Sequence, residues 1–306
     1  MCDETDSAQF DAALARRGLN RRQFAAMGAA VLVWACSSGK PEAAGPEAGS
    51  SPSGPAPLEE AMVSIDTPDG EADAFFVHPA SGRHPAILLW PDVGGLRDAF
   101  KLMARRLARQ GYAVLAVNPY YRGARAPVLE SFSEWMTPEG KAKIQPLRNA
   151  LSADAVTRDA TAYVAWLDGQ EAVDSAARIG TMGFCMGGPY TVRTAAAAPK
   201  RVGAAASLHG GGLATDAPDS PHRLLGQTEA AYLFAIAQND DAKEPETRDV
   251  LRKAADKARR AAEIEVYPAD HGWTVPDSPA YDEPSAERAW ARLSALFSQR
   301  LKTKAG

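Results

Sequence analysis

From Met62 onward, short apolar runs of strand length alternate with longer amphipathic stretches, and no other feature of the chain narrows its fold as far. A run that is apolar throughout must be buried on both faces, which demands a mostly parallel sheet flanked by helices on both faces. The runs are Ala86–Trp90, Ala113–Val117, 178–182, Val202–Leu208, Ala231–Ala237 and Ala262–Tyr267. Helices are expected near 97–109, 153–167, 189–198, 246–261 and 285–301, with Gly111 closing the first. Ahead of them, 61–65 and 72–78 flank Pro68-Asp69-Gly70 and predict an antiparallel hairpin on the sheet edge. After Val117 comes an excursion rich in Pro, Gly and Arg, which precedes the helix expected from about 153.

The chain divides into three parts, a targeting segment over 1–36, a tether over 37–60 and an α/β domain over 61–306. Arg21-Arg22-Gln23-Phe24 followed by the apolar stretch 25–35 looks like a twin-arginine signal peptide, with a run too short to span a bilayer. Val33-Trp34-Ala35-Cys36 resembles a lipobox, so Cys36 is expected to carry a lipid anchor and the protein to be an exported, periplasmic lipoprotein held at the membrane. The Ser, Gly, Pro, Glu and Ala that follow cannot bury apolar surface and suit a solvated tether. Of the three cysteines, Cys2 and Cys36 fall in the targeting segment, which leaves Cys185 as the one thiol of the α/β domain.

Cys185 stands in Gly183-Phe184-Cys185-Met186-Gly187-Gly188, directly after an apolar run and before a helix rich in small residues. That setting gives a G-x-S-x-G elbow its meaning, here with cysteine as nucleophile in the serine position. A sharp strand-to-helix turn lifts the nucleophile, and the helix start offers N–H groups that favour a thiolate and a nearby oxyanion. The partners of such an elbow follow in the order acid, then histidine. Among the five histidines, His271 alone lies in a loop after a strand that follows a strand with carboxylates at its end. The carboxylate is Asp240, with Asp241 as the alternative. Nucleophile, imidazole and carboxylate together form a catalytic triad suited to acyl transfer.

On these residues, and on Trp90-Pro91-Asp92-Val93-Gly94-Gly95, the chain from about residue 62 to its end resembles the dienelactone hydrolase (carboxymethylenebutenolidase) family of α/β-hydrolases. The resemblance implies an α/β-hydrolase fold and hydrolysis of lactones or small carboxylic esters without a cofactor. It also implies that the backbone N–H groups of Val93 and Met186 form the oxyanion hole, and that Asp92 positions the resting thiol. Arginines of the family bind the substrate carboxylate, and Arg122 or Arg125 falls where one is expected. His209 ends a strand near the cleft and is a further candidate for substrate contact.

A net charge of −4 with no basic stripe gives no support for nucleic-acid binding, so the expected partner is a small-molecule ester or lactone. Metal-site motifs of the H-E-x-x-H, H-x-x-E-H or C-x-x-C kind do not occur, and no metal is expected. Two other functions fit the same fold: a non-catalytic lipoprotein that binds ligands, and a redox-sensing thiol protein. The ordered triad disfavours the first, and the lack of a nearby resolving cysteine disfavours the second.

Overall fold

A computed structural model describes residues 57–301. The expected signal and nearly all of the tether lie outside the described residues. Eight strands form one sheet: β1 (Leu58–Thr67), β2 (Gly70–Pro79), β3 (Ala86–Trp90), β4 (Ala113–Val117), β5 (Ile179–Phe184), β6 (Val202–Leu208), β7 (Ala231–Ala237) and β8 (Ala262–Tyr267). Their order is β1-β2-β4-β3-β5-β6-β7-β8, with β1 and β2 antiparallel at one edge and all of β3 to β8 parallel. Leu58, Glu59 and Glu60, expected to belong to the tether, instead pair with Pro79, His78 and Val77.

Burial follows the two-residue period of the strands. Ile87 and Leu89 face one layer with Phe100, Met103 and Leu107 of α1 (Asp98–Ala108) and Trp290, Leu293 and Phe297 of α9 (Glu283–Arg300). Leu88 and Trp90 face the other, with Val156, Ala160 and Tyr163 of α4 (Ala153–Asp168) and Val192 of α5 (Gly188–Ala197). Full burial of each large apolar side chain contributes roughly 1.5–3 kcal/mol, so a central strand sealed on both sides is the stable arrangement for such runs.

The excursion after β4 carries structure of its own. It contains α2 (Phe132–Trp135) and α3 (Pro138–Asn149), packed around a small third core of Val93, Tyr120, Leu129, Trp135, Met136 and Ile144. Thr137 caps α3 by accepting the Gly140 N–H at 3.0 Å, and Pro138 occupies the first turn, where a missing N–H is harmless. Pro146 sits inside this helix and weakens the pattern by which it would be recognised. The remaining helices are α6 (Pro221–Leu224), α7 (Gln238–Lys243) and α8 (Thr247–Ala258).

After β3 the chain turns into α1 on one face, and after β5 into α5 on the other. Loops leaving adjacent strands in opposite directions open a crevice at their carboxyl ends, which is where parallel sheets hold their ligands. No helix among the described residues is long and apolar enough to cross a membrane.

Candidate active site

Cys185 follows β5 in a single 3-10 turn, Cys185–Gly187, which leads into α5. Its backbone lies at φ +50°, a left-handed conformation that costs a residue bearing a Cβ about 1–2 kcal/mol. The flanking glycines make the turn sterically possible. A Cβ on Gly183 would lie 2.1 Å from the Gly187 carbonyl oxygen, and one on Gly187 would lie 2.6 Å from that of Pro91. The thiol is largely buried and opens onto a cleft of about 840 Å³ that Val93, Met186, Asp240 and His271 also line.

His271 lies in the loop after β8, and Asp240 in the first turn of α7 after β7. Asp240 Oδ2 is 2.6 Å from His271 Nδ1. Asn239 adds a support that the sequence did not single out, its side-chain oxygen accepting the His271 backbone N–H at 2.8 Å. Asp241, the alternative acid, points elsewhere and pairs with Arg248 at 3.6 Å.

Val93 and Met186 come together from the loops after β3 and β5, and their side chains join the small third core. Among the described residues the Val93 N–H donates to no protein acceptor, while its carbonyl accepts the Tyr120 hydroxyl at 2.8 Å. That hydroxyl also lies 3.5 Å from Met186 Sδ. Burial, then the neighbouring Tyr190, pushes the Tyr120 phenol well above its ordinary range, so it stays a neutral donor.

Four expected roles do not match the geometry. Asp92 is not placed to hold the thiol: both its oxygens are taken by Arg97, at 2.7 and 3.0 Å, and no hydrogen bond joins it to Cys185 among the described residues. Arg122 is the counter-charge of Asp159, a fully buried carboxylate that must be paired, and binds it at 2.7 and 2.9 Å. Arg125 is 72% exposed and pairs with Glu71. Neither arginine lines the cleft.

His209 is buried behind the site rather than in it, with Nε2 2.8 Å from Thr274 Oγ1 and its ring 4.9 Å from that of His271, edge to face. Burial, reinforced by the charge His271 can carry, holds the His209 imidazole well below its usual range. It is therefore a neutral support for the histidine loop.

The cations that do line the cleft are Arg148 of α3, Arg193 of α5 and Lys243 of α7. Arg193 is paired with Asp219 at 3.0 Å, whereas half-buried Arg148 forms no ion pair among the described residues. Arg148 escaped the sequence reading because it sits two residues after Pro146, in a stretch without clear helical periodicity.

The model of the dienelactone hydrolase family matches residues 72–301. A Synechocystis sp. protein named as a carboxymethylenebutenolidase is 27% identical over 250 residues, covering 80% of this chain and 98% of that protein. A Bradyrhizobium sp. protein named as a 2-oxo-3-(5-oxofuran-2-ylidene)propanoate lactonase is 27% identical over 232 residues, covering 74% of this chain and 89% of its own. The fold matches the crystal structure of a Klebsiella pneumoniae protein described as a dienelactone hydrolase, with a TM-score of 0.68 at 24% identity, covering 79% of this chain and 99% of the other. With the matched region reaching from the second strand to the end of the last helix, the chain belongs to the dienelactone hydrolase family and is a hydrolase on the α/β-hydrolase fold.

Proposed function

We propose that the protein hydrolyses lactones or small carboxylic esters through an acyl-enzyme on Cys185. The observation that carries this reading is a thiol at a strained elbow sharing one cleft with an imidazole whose Nδ1 is 2.6 Å from a carboxylate. Asp240 holds the proton on Nδ1, so His271 Nε2 takes the thiol proton. The thiolate attacks the carbonyl carbon, and the charge that develops on oxygen is met by the N–H groups of Val93 and Met186. The acyl C–O bond then breaks, the leaving oxygen takes the proton from His271, and a thioester remains. Water, deprotonated by His271, attacks the thioester carbon, and the proton returns to sulfur as the acid leaves. With a lactone, the leaving hydroxyl stays on the opened product.

Arg148 is the group we assign to an anionic end of the substrate, in place of Arg122 and Arg125. Support comes from its unpaired charge in the cleft and from the carboxylate in the lactone for which the Bradyrhizobium relative is named. A panel of chromogenic esters and lactones, assayed with and without iodoacetamide, tests both statements. Turnover is expected to vanish on alkylation. A charge-assisted hydrogen bond is worth about 1.5–3 kcal/mol, so Arg148→Gln should raise KM for carboxylate-bearing substrates about tenfold or more and leave neutral esters unchanged. A folded protein inert across the panel would favour the ligand-binding alternative.

We further propose that the protein is exported behind the twin-arginine segment and retained by lipid at Cys36. Each buried CH₂ of an acyl chain contributes about 0.8 kcal/mol, and more than one chain is needed for stable retention. Full-length protein is expected in the bacterial membrane fraction and in the detergent extract. Cys36→Ala protein that is still exported should be soluble in the periplasm, and unprocessed wild-type protein in the cytosol would refute the signal.

A further inference from the structure

The side chain of Arg97 is fully buried at the junction of the loop after β3 with α1, among groups that the proposed chemistry does not use. All five of its N–H donors are engaged. One edge of the guanidinium binds Asp92, Nη1 to Oδ1 at 2.7 Å and Nη2 to Oδ2 at 3.0 Å. The other edge binds Asp277, Nε to Oδ2 at 2.7 Å and Nη2 to Oδ1 at 2.8 Å, and Nη1 also reaches the Gly95 carbonyl at 3.2 Å. Only a planar fork can grip two carboxylates at once in this way. Burial works against the charge, but the two carboxylates more than offset it and hold the guanidinium well above its ordinary pKa.

The two carboxylates belong to different parts of the site. Asp92 immediately precedes Val93, and its Oδ1 also accepts the Gly94 N–H at 2.8 Å, so the side chain winds the loop around Val93. Asp277 lies six residues beyond His271, and its Oδ2 accepts the Phe132 N–H at 3.0 Å, at the start of α2. Arg97 thus joins the loop that presents the Val93 N–H to the loop that carries the imidazole. Stability alone is a weak reason for such a cluster, because a buried ion triad can often be replaced by apolar residues without loss.

We propose that Arg97 is a positioning residue, which fixes the Val93 N–H relative to His271 so that the developing oxyanion meets its donor. This rests on the Cys185 acyl-enzyme reading. The charge that Arg97 serves appears only during acyl transfer. Alkylation of the same thiol by iodoacetamide displaces iodide from a CH₂ carbon and forms no oxyanion, so the two reactions separate a misplaced donor from a damaged nucleophile.

The test compares wild type, Arg97→Lys and Asp277→Asn in ester turnover and in the rate of Cys185 alkylation by iodoacetamide. Losing one oxyanion donor lowers kcat by about 10²–10³, so a displaced donor in Arg97→Lys should lower it by about 10- to 100-fold, with KM and the alkylation rate within about twofold. Asp277→Asn keeps the grip on Asp92 and should lose several-fold in kcat, again with alkylation unchanged; it decides the matter if Arg97→Lys does not fold. Parallel loss of turnover and alkylation, or unchanged kcat in a folded variant, overturns the proposal. Should alkylation of the wild type leave ester turnover intact, the Cys185 reading itself has failed and the positioning role falls with it.

Discussion

Cys185→Ala is expected to reduce ester turnover to the uncatalysed background while the protein stays folded. Nothing else in the cleft replaces the thiol, since Cys185 is the one free cysteine among the described residues. Alanine removes a single atom beyond Cβ, the left-handed backbone strain at this position is the same for both residues, and no hydrogen bond to Sγ is lost among the described residues. The melting temperature should therefore move by only a few degrees, and circular dichroism should be unchanged. Cys185→Ser should retain weak activity, because a hydroxyl needs stronger general-base help than a thiol. Turnover by the alanine variant at wild-type rates, measured on the same chromogenic ester, would remove the acyl-enzyme from consideration.

The second large effect is expected at Asp240. An asparagine there would offer N–H to His271 Nδ1 and favour the tautomer with its proton on Nε2, the nitrogen that must accept the thiol proton. The equivalent change in a serine triad lowers kcat about 10⁴-fold, and a loss of about 10³–10⁴ is expected for Asp240→Asn. Asp241→Asn touches only a long, partly exposed pair with Arg248 at 3.6 Å, and should leave kcat within about threefold. Steady-state kinetics on both variants decides the acid, and the reverse ranking would give the role to Asp241.

The sheet was legible because its strands are sealed on both faces, so that burial writes itself as uninterrupted apolar runs such as 86–90 and 113–117. The elbow was legible for a related reason, since the turn has room for glycine alone at positions 183 and 187. Charge was harder to read. An arginine does not reveal its counter-ion, and Arg122 is claimed by a buried carboxylate 37 residues away while Arg148 is left open to the cleft. Asp92 failed as a thiol partner on the same ground, because its oxygens were already spoken for by Arg97 only five residues on. Helix α3 was missed because proline at 146 and a short apolar face hide its period, although its cap and first-turn proline follow ordinary rules.

The small core built on Leu129, Trp135 and Ile144 is separate from the two that seal the sheet, yet it shares Val93 and Met186 with the cleft onto which Cys185 opens. Two tasks that are fused in many enzymes are here divided between neighbouring layers. The sheet and its helices hold the two large cores, whereas the excursion packs on Val93 and Met186 and lends Arg148 and Leu151 to the wall of the cleft. On the Cys185 reading, substitutions at Arg148 or Leu151 thus reshape the wall that faces the substrate while leaving both cores that seal the sheet untouched.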